Sequence, residues 1–194
     1  MKCSLIIVIL VLFSVPAVFA RDNCFPGNKH VLSSPSHNYQ FTWRKGRRDA
    51  QGIEPHHLLF GRKGEKEPKA FFEFCNQVCL HWSPDEKHFS LSHLVGSNVA
   101  EDFIFESSDI SRRVDVMDLL PEEVRNYFGK GILHGYIETT AWNTDGLVIR
   151  AWGDREDQPR AFDVALKCTV SEDKWTCKTA NKTLQPIADK AGSG

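Results

Sequence analysis

Apolar and polar residues alternate over many short stretches of this chain. The clearest stretches are 39–43, 57–60, 70–74, 78–82, 88–94, 102–105, 136–142, 147–152 and 162–170. A period of two is typical of β-strands that bury one face. Residues 121–128 carry helix signals instead, because proline stands in the first turn, two glutamates follow and Gly129 ends the segment. The pattern therefore predicts a mainly β domain with one short helix.

Turn signals join several of the predicted strands. Ser83-Pro84-Asp85 favours a type I turn, because proline sets φ at the first central position. Asp145-Gly146 favours a two-residue type I′ hairpin, since both central residues must accept a positive φ. In that register, Trp142 is predicted to lie opposite Ile149.

The N-terminus has the organisation of a secretory signal peptide. Lys2 precedes an apolar run at residues 5–13, Pro16 breaks that run, and small residues lead to Ala20. The run is shorter than the roughly 20 apolar residues of a membrane-spanning helix. We therefore predict cleavage near Ala20, a secreted or periplasmic protein, and no membrane span after cleavage. The predicted divisions are signal peptide 1–20, irregular segment 21–38, single β-rich domain 39–188 and disordered tail 189–194.

Export makes the cysteines candidates for disulfide bonds. Cys168 and Cys177 flank a hairpin with a short loop, which places them directly opposite each other. Paired strand residues lie within the Cα distance that a disulfide accepts, so this bridge is predicted. Cys75 and Cys79 either bridge across the intervening turn, or one of them pairs with Cys24. The chain after cleavage has an odd number of cysteines, so one thiol stays unpaired or pairs between molecules.

A tryptophan-led motif occurs twice along the chain. Trp82-Ser83-Pro84-Asp85 recurs as Trp142-Asn143-Thr144-Asp145, and each copy is followed by a glycine and then by a phenylalanine-led strand. Both segments have the order strand, tight turn, strand, glycine-bearing loop, strand. The repetition predicts two β-meander units.

Residues 78–106, VCLHWSPDEKHFSLSHLVGSNVAEDFIFE, resemble one blade of a TolB-type β-propeller, whose repeats centre on a W-S-P-D turn. The second segment lacks the Ser-Pro of that turn, and no further copy follows. A closed propeller needs at least four blades of about 40–45 residues. The expected fold is therefore an antiparallel meander with two blade-like units, not a closed propeller. The resemblance also implies that the protein binds a protein or a peptide.

The charge pattern bears on the class of partner. The formal net charge is −1, which gives no basis for binding nucleic acid. Basic residues crowd the first third of the chain, and acidic residues crowd its middle. These runs are either solvated loops or a charged docking face.

The sequence lacks the familiar motifs of catalytic and cofactor sites. It has no G-x-S-x-G elbow, no H-E-x-x-H pair, no P-loop and no glycine-rich dinucleotide turn. No cofactor is expected, and no metal, because the pair Cys75 and Cys79 has no second pair at ligand spacing. A thiol site that combines Cys75 or Cys79 with His81 would be one basis for a hydrolase.

Trp152 is the best candidate for a binding surface. It precedes Gly153 and lies beside an acidic loop that contains Asp154 and Asp157. We therefore predict an exported binding protein, for example an inhibitor or an immunity-type protein, with another exported or envelope protein as its partner. The alternative is a secreted hydrolase with an acid/base or Cys–His site assembled from residues distant in sequence.

Overall fold

β-strands form most of the structure. The computed structural model describes residues 23–48, 50, 52–96, 99–128, 132–155, 158–171 and 174–184, so the predicted signal peptide and tail lie outside it. The strands are β1 (Cys24–Phe25), β2 (Val31–Ser33), β3 (Tyr39–Lys45), β4 (His56–Arg62), β5 (Lys69–Phe74), β6 (Gln77–Trp82), β7 (His88–Leu94), β8 (Val99–Glu106), β9 (Asp109–Asp115), β10 (Ile132–Asn143), β11 (Gly146–Arg155), β12 (Gln158–Ser171) and β13 (Lys174–Leu184). The helices are α1 (Val116–Leu119) and α2 (Glu122–Phe128). The predicted fold class, mainly β and not a closed propeller, is confirmed, because the sheets are open and not closed on themselves.

The strands form two sheets. The four-stranded sheet has the order β2-β3-β4-β5, and the nine-stranded sheet has the order β1-β6-β7-β8-β10-β11-β12-β13, with β9 pairing β8. Neighbouring strands are antiparallel except β8 and β10, which run parallel where Val99 and Ala100 face Gly135 and Tyr136. This pair departs from the antiparallel prediction. Because β9, α1 and α2 intervene, the chain has the length it needs to re-enter the sheet in the direction of β8.

Two hydrophobic cores lie on opposite faces of β8. Successive strand residues point to opposite faces, so Phe103 and Phe105 join one core and Ile104 joins the other. The first core combines residues of both sheets and is rich in phenylalanine, with Phe41 and Phe89 fully buried. The second core combines the two helices with β10, β11 and β12 and is mainly aliphatic. β8 is therefore the strand that both halves of the molecule share.

The predicted helix is present as α2, and α1 precedes it. Asp115 caps α1, because its carboxylate accepts a hydrogen bond from the backbone N–H of Met117 at 2.9 Å. Val124 and Tyr127 of α2 are buried in the second core. Neither helix has the length and apolar character that crossing a membrane requires.

Two disulfide bonds join parts of the nine-stranded sheet. Cys168 and Cys177 lie opposite each other on β12 and β13 and are bonded, as their spacing predicts. The second bond joins Cys24 on β1 to Cys79 on β6, while Cys75 is a free, exposed thiol. A bridge between Cys75 and Cys79 is therefore wrong, and the alternative pairing with Cys24 is the one present. Cys79 lies within β6, directly opposite Cys24 of the neighbouring strand, so the bond needs no tight turn.

The segment 21–38 is more regular than predicted, because it contributes one strand to each sheet. β1 pairs with β6, and β2 pairs with β3. Phe25 of β1 and Leu32 of β2 are buried in the first core. The residues around β1 and β2 are typical of turns, so the sequence pattern does not predict these strands. Burial of the two apolar side chains stabilises both strands in the fold.

The two tryptophan-led motifs both form hairpins, with different registers. Glu86 N–H donates to the Ser83 carbonyl at 3.0 Å, which confirms the predicted turn there. In the second motif Trp142 pairs with Leu147, so the predicted pairing with Ile149 is wrong. Gly146 lies in β11 at φ 130°, and a Cβ there would lie 2.2 Å from a carbonyl oxygen of β12. The close approach of β12, and not a type I′ turn, therefore requires this glycine.

Candidate binding face

A group of polar and aromatic side chains lies on the side of β10, β11 and β12 that points away from the second core. We call this group the Trp152 face; its members are Tyr136, Glu138, Arg150, Trp152, Asp154 and Asp163. The register places Tyr136 beside Trp152 and Trp152 beside Asp163 across three adjacent strands. The alternate residues Ile149 and Ala151 are fully buried in the second core, so the face projects outward.

The centre of the face is an aromatic stack with an arginine over it. The rings of Tyr136 and Trp152 stack with centroids 5.1 Å apart and an interplanar angle of 19°. Cζ of Arg150 lies 4.8 Å from the Trp152 ring centroid, a cation–π distance. Arg150 and Trp152 are two residues apart on β11, so strand geometry alone puts them on one face.

Asp163 holds the Arg150 side chain in this position. Nε of Arg150 donates to Oδ1 of Asp163 at 2.9 Å, and Nη2 donates to Oδ2 at 2.6 Å. These hydrogen bonds raise the pKa of Arg150, so the guanidinium stays charged. A bidentate pair also fixes the plane of the guanidinium, which keeps it over Trp152. The stack is therefore a rigid part of the surface.

Glu138 is the unusual member of the face. Its register partner on β11 is Arg150, which is committed to Asp163. Partial burial raises the pKa of Glu138 to about 7, and the charge of Arg150 opposes part of that rise. In the described part of the chain, this carboxyl group has no hydrogen bond and no ion pair. Glu138 is therefore a half-buried carboxyl group whose nearest opposite charge, Arg150, is hydrogen-bonded to another carboxylate.

The sequence located part of this face. Trp152 and Asp154, both proposed for binding, lie on it and are partly exposed, whereas Asp157 lies outside the described residues. Tyr136, Glu138, Arg150 and Asp163 were missed, although the first three alternate with buried residues along β10 and β11. A shallow cavity of about 310 Å³ adjoins the ion pair and is lined by Thr140, Arg150, Asp163, Ala165, Asn181 and Thr183.

A second polar group lies on the covered side of the same sheet. We call it the polar seam; it consists of Ser90, Asp102, Thr139 and Trp142. Thr139 Oγ1 donates to Asp102 Oδ2 at 2.6 Å, and Trp142 Nε1 donates to Ser90 Oγ at 3.1 Å. Burial raises the pKa of Asp102 to about 7, and the hydrogen bond from Thr139 opposes the rise. Asp102 is 0% exposed, so a substrate does not reach it.

Among the described residues, the two carboxyl groups with a raised pKa do not form a pair. Asp102 and Glu138 lie on opposite sides of β10, so the sheet separates these two carboxyl groups. The Cys79 form of the predicted thiol site is wrong, because Cys79 is in a disulfide bond, whereas Cys75 is a free thiol and the form with Cys75 stays a prediction. Over the residues that the structure describes, no three His, Cys, Asp or Glu side chains form a group that could hold a metal ion.

The side chains of the W-S-P-D turn make hydrogen bonds that stabilise the fold. Ser83 Oγ donates to Asp85 Oδ1 at 2.7 Å, and Asp85 accepts the backbone N–H of Lys87 at 3.1 Å. Glu86, which follows the motif, accepts hydrogen bonds from the backbone N–H and the hydroxyl of Ser36. Ser36 lies in the turn between β2 and β3 of the four-stranded sheet. The polar atoms of the motif therefore stabilise the turn, and Glu86 joins the turn to the four-stranded sheet.

No protein-family model, no curated protein and no solved structure matches this chain. The propeller resemblance of residues 78–106 therefore stays a prediction. The function has to be inferred from the geometry of the Trp152 face.

Proposed function

We propose that this protein is an exported binding protein whose Trp152 face holds a lysine or arginine side chain of a partner protein. The observation that carries the proposal is the Glu138 carboxyl group, which is half-buried and has no ion pair in the described residues. The disulfide bonds Cys24–Cys79 and Cys168–Cys177 support an oxidising compartment, where the partner would be another exported or envelope protein. An inhibitor or immunity-type role is one form of this function.

The composition of the face favours a protein partner. Trp, Tyr and Arg are the residue types that contribute most to protein–protein affinity when they lie near the centre of an interface. Here Trp152, Tyr136 and Arg150 are neighbours, and Asp163 orders them before binding. Ordering in advance reduces the entropy that is lost on association.

The charge of the face favours a basic group on that partner. Since Arg150 is neutralised by Asp163, the Glu138 carboxylate beside this pair can attract a further cation. A cation beside Glu138 would also lie next to the Tyr136 ring, which is two residues away on the same strand. Carboxylate and aromatic ring together give a site for an ammonium or guanidinium group.

The proposal predicts that binding strengthens as the pH rises through about 7. Below that pH Glu138 is neutral and attracts a cation weakly; above it Glu138 is ionised. The charged groups that face it are Arg150 on β11 and, behind Arg150, Asp163 on β12. The hydrogen bonds to Asp163 raise the pKa of Arg150, so Arg150 keeps its charge across this range. Bound cation stabilises the ionised carboxylate, so complex formation should release protons near pH 7.

The test is a pull-down from the extracellular or envelope fraction of the source cells, followed by affinity measurement on the partner recovered. Glu138→Gln removes the charge and keeps the shape; Glu67→Gln, in the exposed β4–β5 loop, is the matched control. We expect a stoichiometric partner at pH 8 that the wild type and the control retain and Glu138→Gln loses by tenfold or more. The affinity of Glu138→Gln should also be independent of pH between 6 and 8.

Two results would overturn the proposal. One is a partner that binds Glu138→Gln and the wild type equally, which would place the interface elsewhere. The other is the absence of a partner together with hydrolase activity of the pure protein, which would favour the enzyme alternative.

A further inference from the structure

We propose a second site, at the open end between the two sheets, that binds a small phosphate monoester carrying an aromatic ring. We call it the sandwich mouth. It is a cavity of about 460 Å³, and its defining residues are Tyr39, Phe60, Arg62, Lys63, Glu65 and Lys69. It shares no residue with the Trp152 face, so it goes beyond the function proposed above.

The rim of the sandwich mouth is basic. Arg62 and Lys69 are the end residues of β4 and β5, and Lys63 follows directly on Arg62. All three are exposed, and no ion pair joins them to a carboxylate within the described residues. Three cations around one cavity suit a dianion better than a monoanion, because each further charge adds Coulomb attraction. Lys supplies point charge and Arg supplies a planar fork, and both are common phosphate ligands.

The lining also has one acidic residue, Glu65, against three cations, so the cavity keeps an excess of positive charge. A carboxylate oxygen of Glu65 accepts the backbone N–H of Arg62 at 2.8 Å. The same oxygen lies over Gly61, where a Cβ atom would be 2.8 Å from it. Glu65 is therefore folded back onto the backbone of its own loop, and the three cationic side chains are left to face the cavity.

The wall of the sandwich mouth is aromatic. The rings of Tyr39 and Phe60 stack with centroids 5.4 Å apart and an interplanar angle of 14°. Phe60 is 7% exposed, whereas Tyr39 is half-buried and offers part of its ring to the cavity. Tyr39 is held from the other sheet by Trp82, at 5.7 Å between centroids. A fixed ring beside a basic rim suits a ligand with an aromatic body and an anionic end.

The loop that carries the rim is ordered before a ligand arrives. The Lys63 N–H donates to the Asn38 carbonyl at 2.9 Å, which ties the β4–β5 loop to the β2–β3 turn. The Glu65 N–H donates to the Arg62 carbonyl at 2.9 Å and closes a turn. Gly64 in this turn has φ 83°, a conformation that glycine adopts without strain. The cations are thus presented on a preformed loop, which favours binding.

Phenyl phosphate is the probe, and isothermal titration calorimetry at low ionic strength is the measurement. Three comparison compounds separate the parts of the ligand: inorganic phosphate lacks the ring, phenol lacks the anion, and benzoate carries a single charge. We expect saturable binding of phenyl phosphate, binding at least tenfold weaker for inorganic phosphate and for benzoate, and none for phenol. Equal affinity for phenyl phosphate and inorganic phosphate would overturn the aromatic part of the proposal.

Substitutions locate the binding on the protein. Lys63→Gln combined with Lys69→Gln should weaken phenyl phosphate binding by at least tenfold, while Lys66→Gln, in the same loop but outside the cavity lining, should leave it unchanged. These lysines are exposed, so circular dichroism should show an unchanged fold. Equal effects of Lys66→Gln and of either cavity lysine changed singly would mean diffuse charge attraction, and no saturable binding would overturn the site. Glu138→Gln should not affect phenyl phosphate, which separates this test from that of the Trp152 face.

Discussion

Two carboxyl groups with similarly raised pKa values lie on opposite sides of β10, one in the polar seam and one on the Trp152 face. Asp102 is fully buried and accepts a hydrogen bond from Thr139. Glu138, the residue before Thr139, points to the open side and is only half-buried. Burial raises the pKa of each to about 7. The two groups differ in access: no partner reaches Asp102, whereas a cation of a second molecule can approach Glu138.

The comparison shows that a raised pKa does not by itself mark a functional site. An ionised Asp102 has no route to a counter-charge from outside, so its ionisation opposes folding. An ionised Glu138 can gain a counter-charge on binding, so its ionisation favours association. We therefore expect changes in the polar seam to act mainly on stability, and changes on the Trp152 face to act mainly on binding.

The largest expected effect is on stability as a function of pH. The native pKa of Asp102, about 7 against an ordinary value of 3.8, means that the native state binds this proton more tightly than the unfolded state. The contribution of Asp102 to stability should therefore fall by about 3 kcal/mol between pH 4 and pH 7. Urea denaturation across this range should show the fall in the wild type, and Asp102→Asn should remove the part that Asp102 contributes.

Glu138→Gln is the control for that measurement, because it changes a carboxyl group of similar pKa on the open side. Glu138 contributes a fall of its own, because its native pKa is raised too, but this fall should be the smaller one since Glu138 is only half-buried. Glu138→Gln should therefore retain the larger part of the pH dependence, which comes from Asp102. If Asp102→Asn and the wild type lose stability equally between pH 4 and pH 7, the polar seam does not hold a buried acid.

A smaller effect is expected from Thr139→Val, which is nearly isosteric. It deletes the hydroxyl that donates to Asp102 at 2.6 Å and leaves a buried acceptor without this bond. The free energy of unfolding at pH 7 should decrease by about 1–3 kcal/mol, as for other buried hydrogen bonds. The affinity for the partner should be unchanged. If Thr139→Val loses affinity without losing stability, the polar seam takes part in binding and the proposed division between the two sides of β10 is wrong.

The smallest effect on stability is expected from Arg150→Lys, which keeps the charge and removes the planar fork. An ammonium group does not reproduce the two hydrogen bonds to Asp163 or the stacking on Trp152. Because the pair is partly exposed to solvent, the free energy of unfolding should change by less than about 1 kcal/mol. Partner affinity should decrease by tenfold or more in the same preparation, and a stability loss of several kcal/mol would show that the pair supports the fold instead.

The candidate site was only partly predictable. Trp152 and Asp154 stand out in the sequence as an aromatic and an acid beside a glycine. Tyr136 and Asp163 do not, because their roles come from strand register: β10 brings Tyr136 to one side of Trp152, and β12 brings Asp163 to the other. A bulge between Thr139 and Ala141 also shifts the register, which alternation alone does not locate.

Local chemistry by itself determined the β-rich class, the helix α2 and the Cys168–Cys177 bridge. Each depends on residues that are close in sequence: alternation within a strand, proline and glutamates at a helix start, and pairing across one hairpin. Only the tertiary structure decided the Cys24–Cys79 bond, whose cysteines are 55 residues apart, and the parallel pairing of β8 with β10. It also decided that Asp102 is fully buried while Glu138 is accessible to a partner. These depend on which strands become neighbours and which face each one buries, and burial of apolar surface over the whole chain determines that choice.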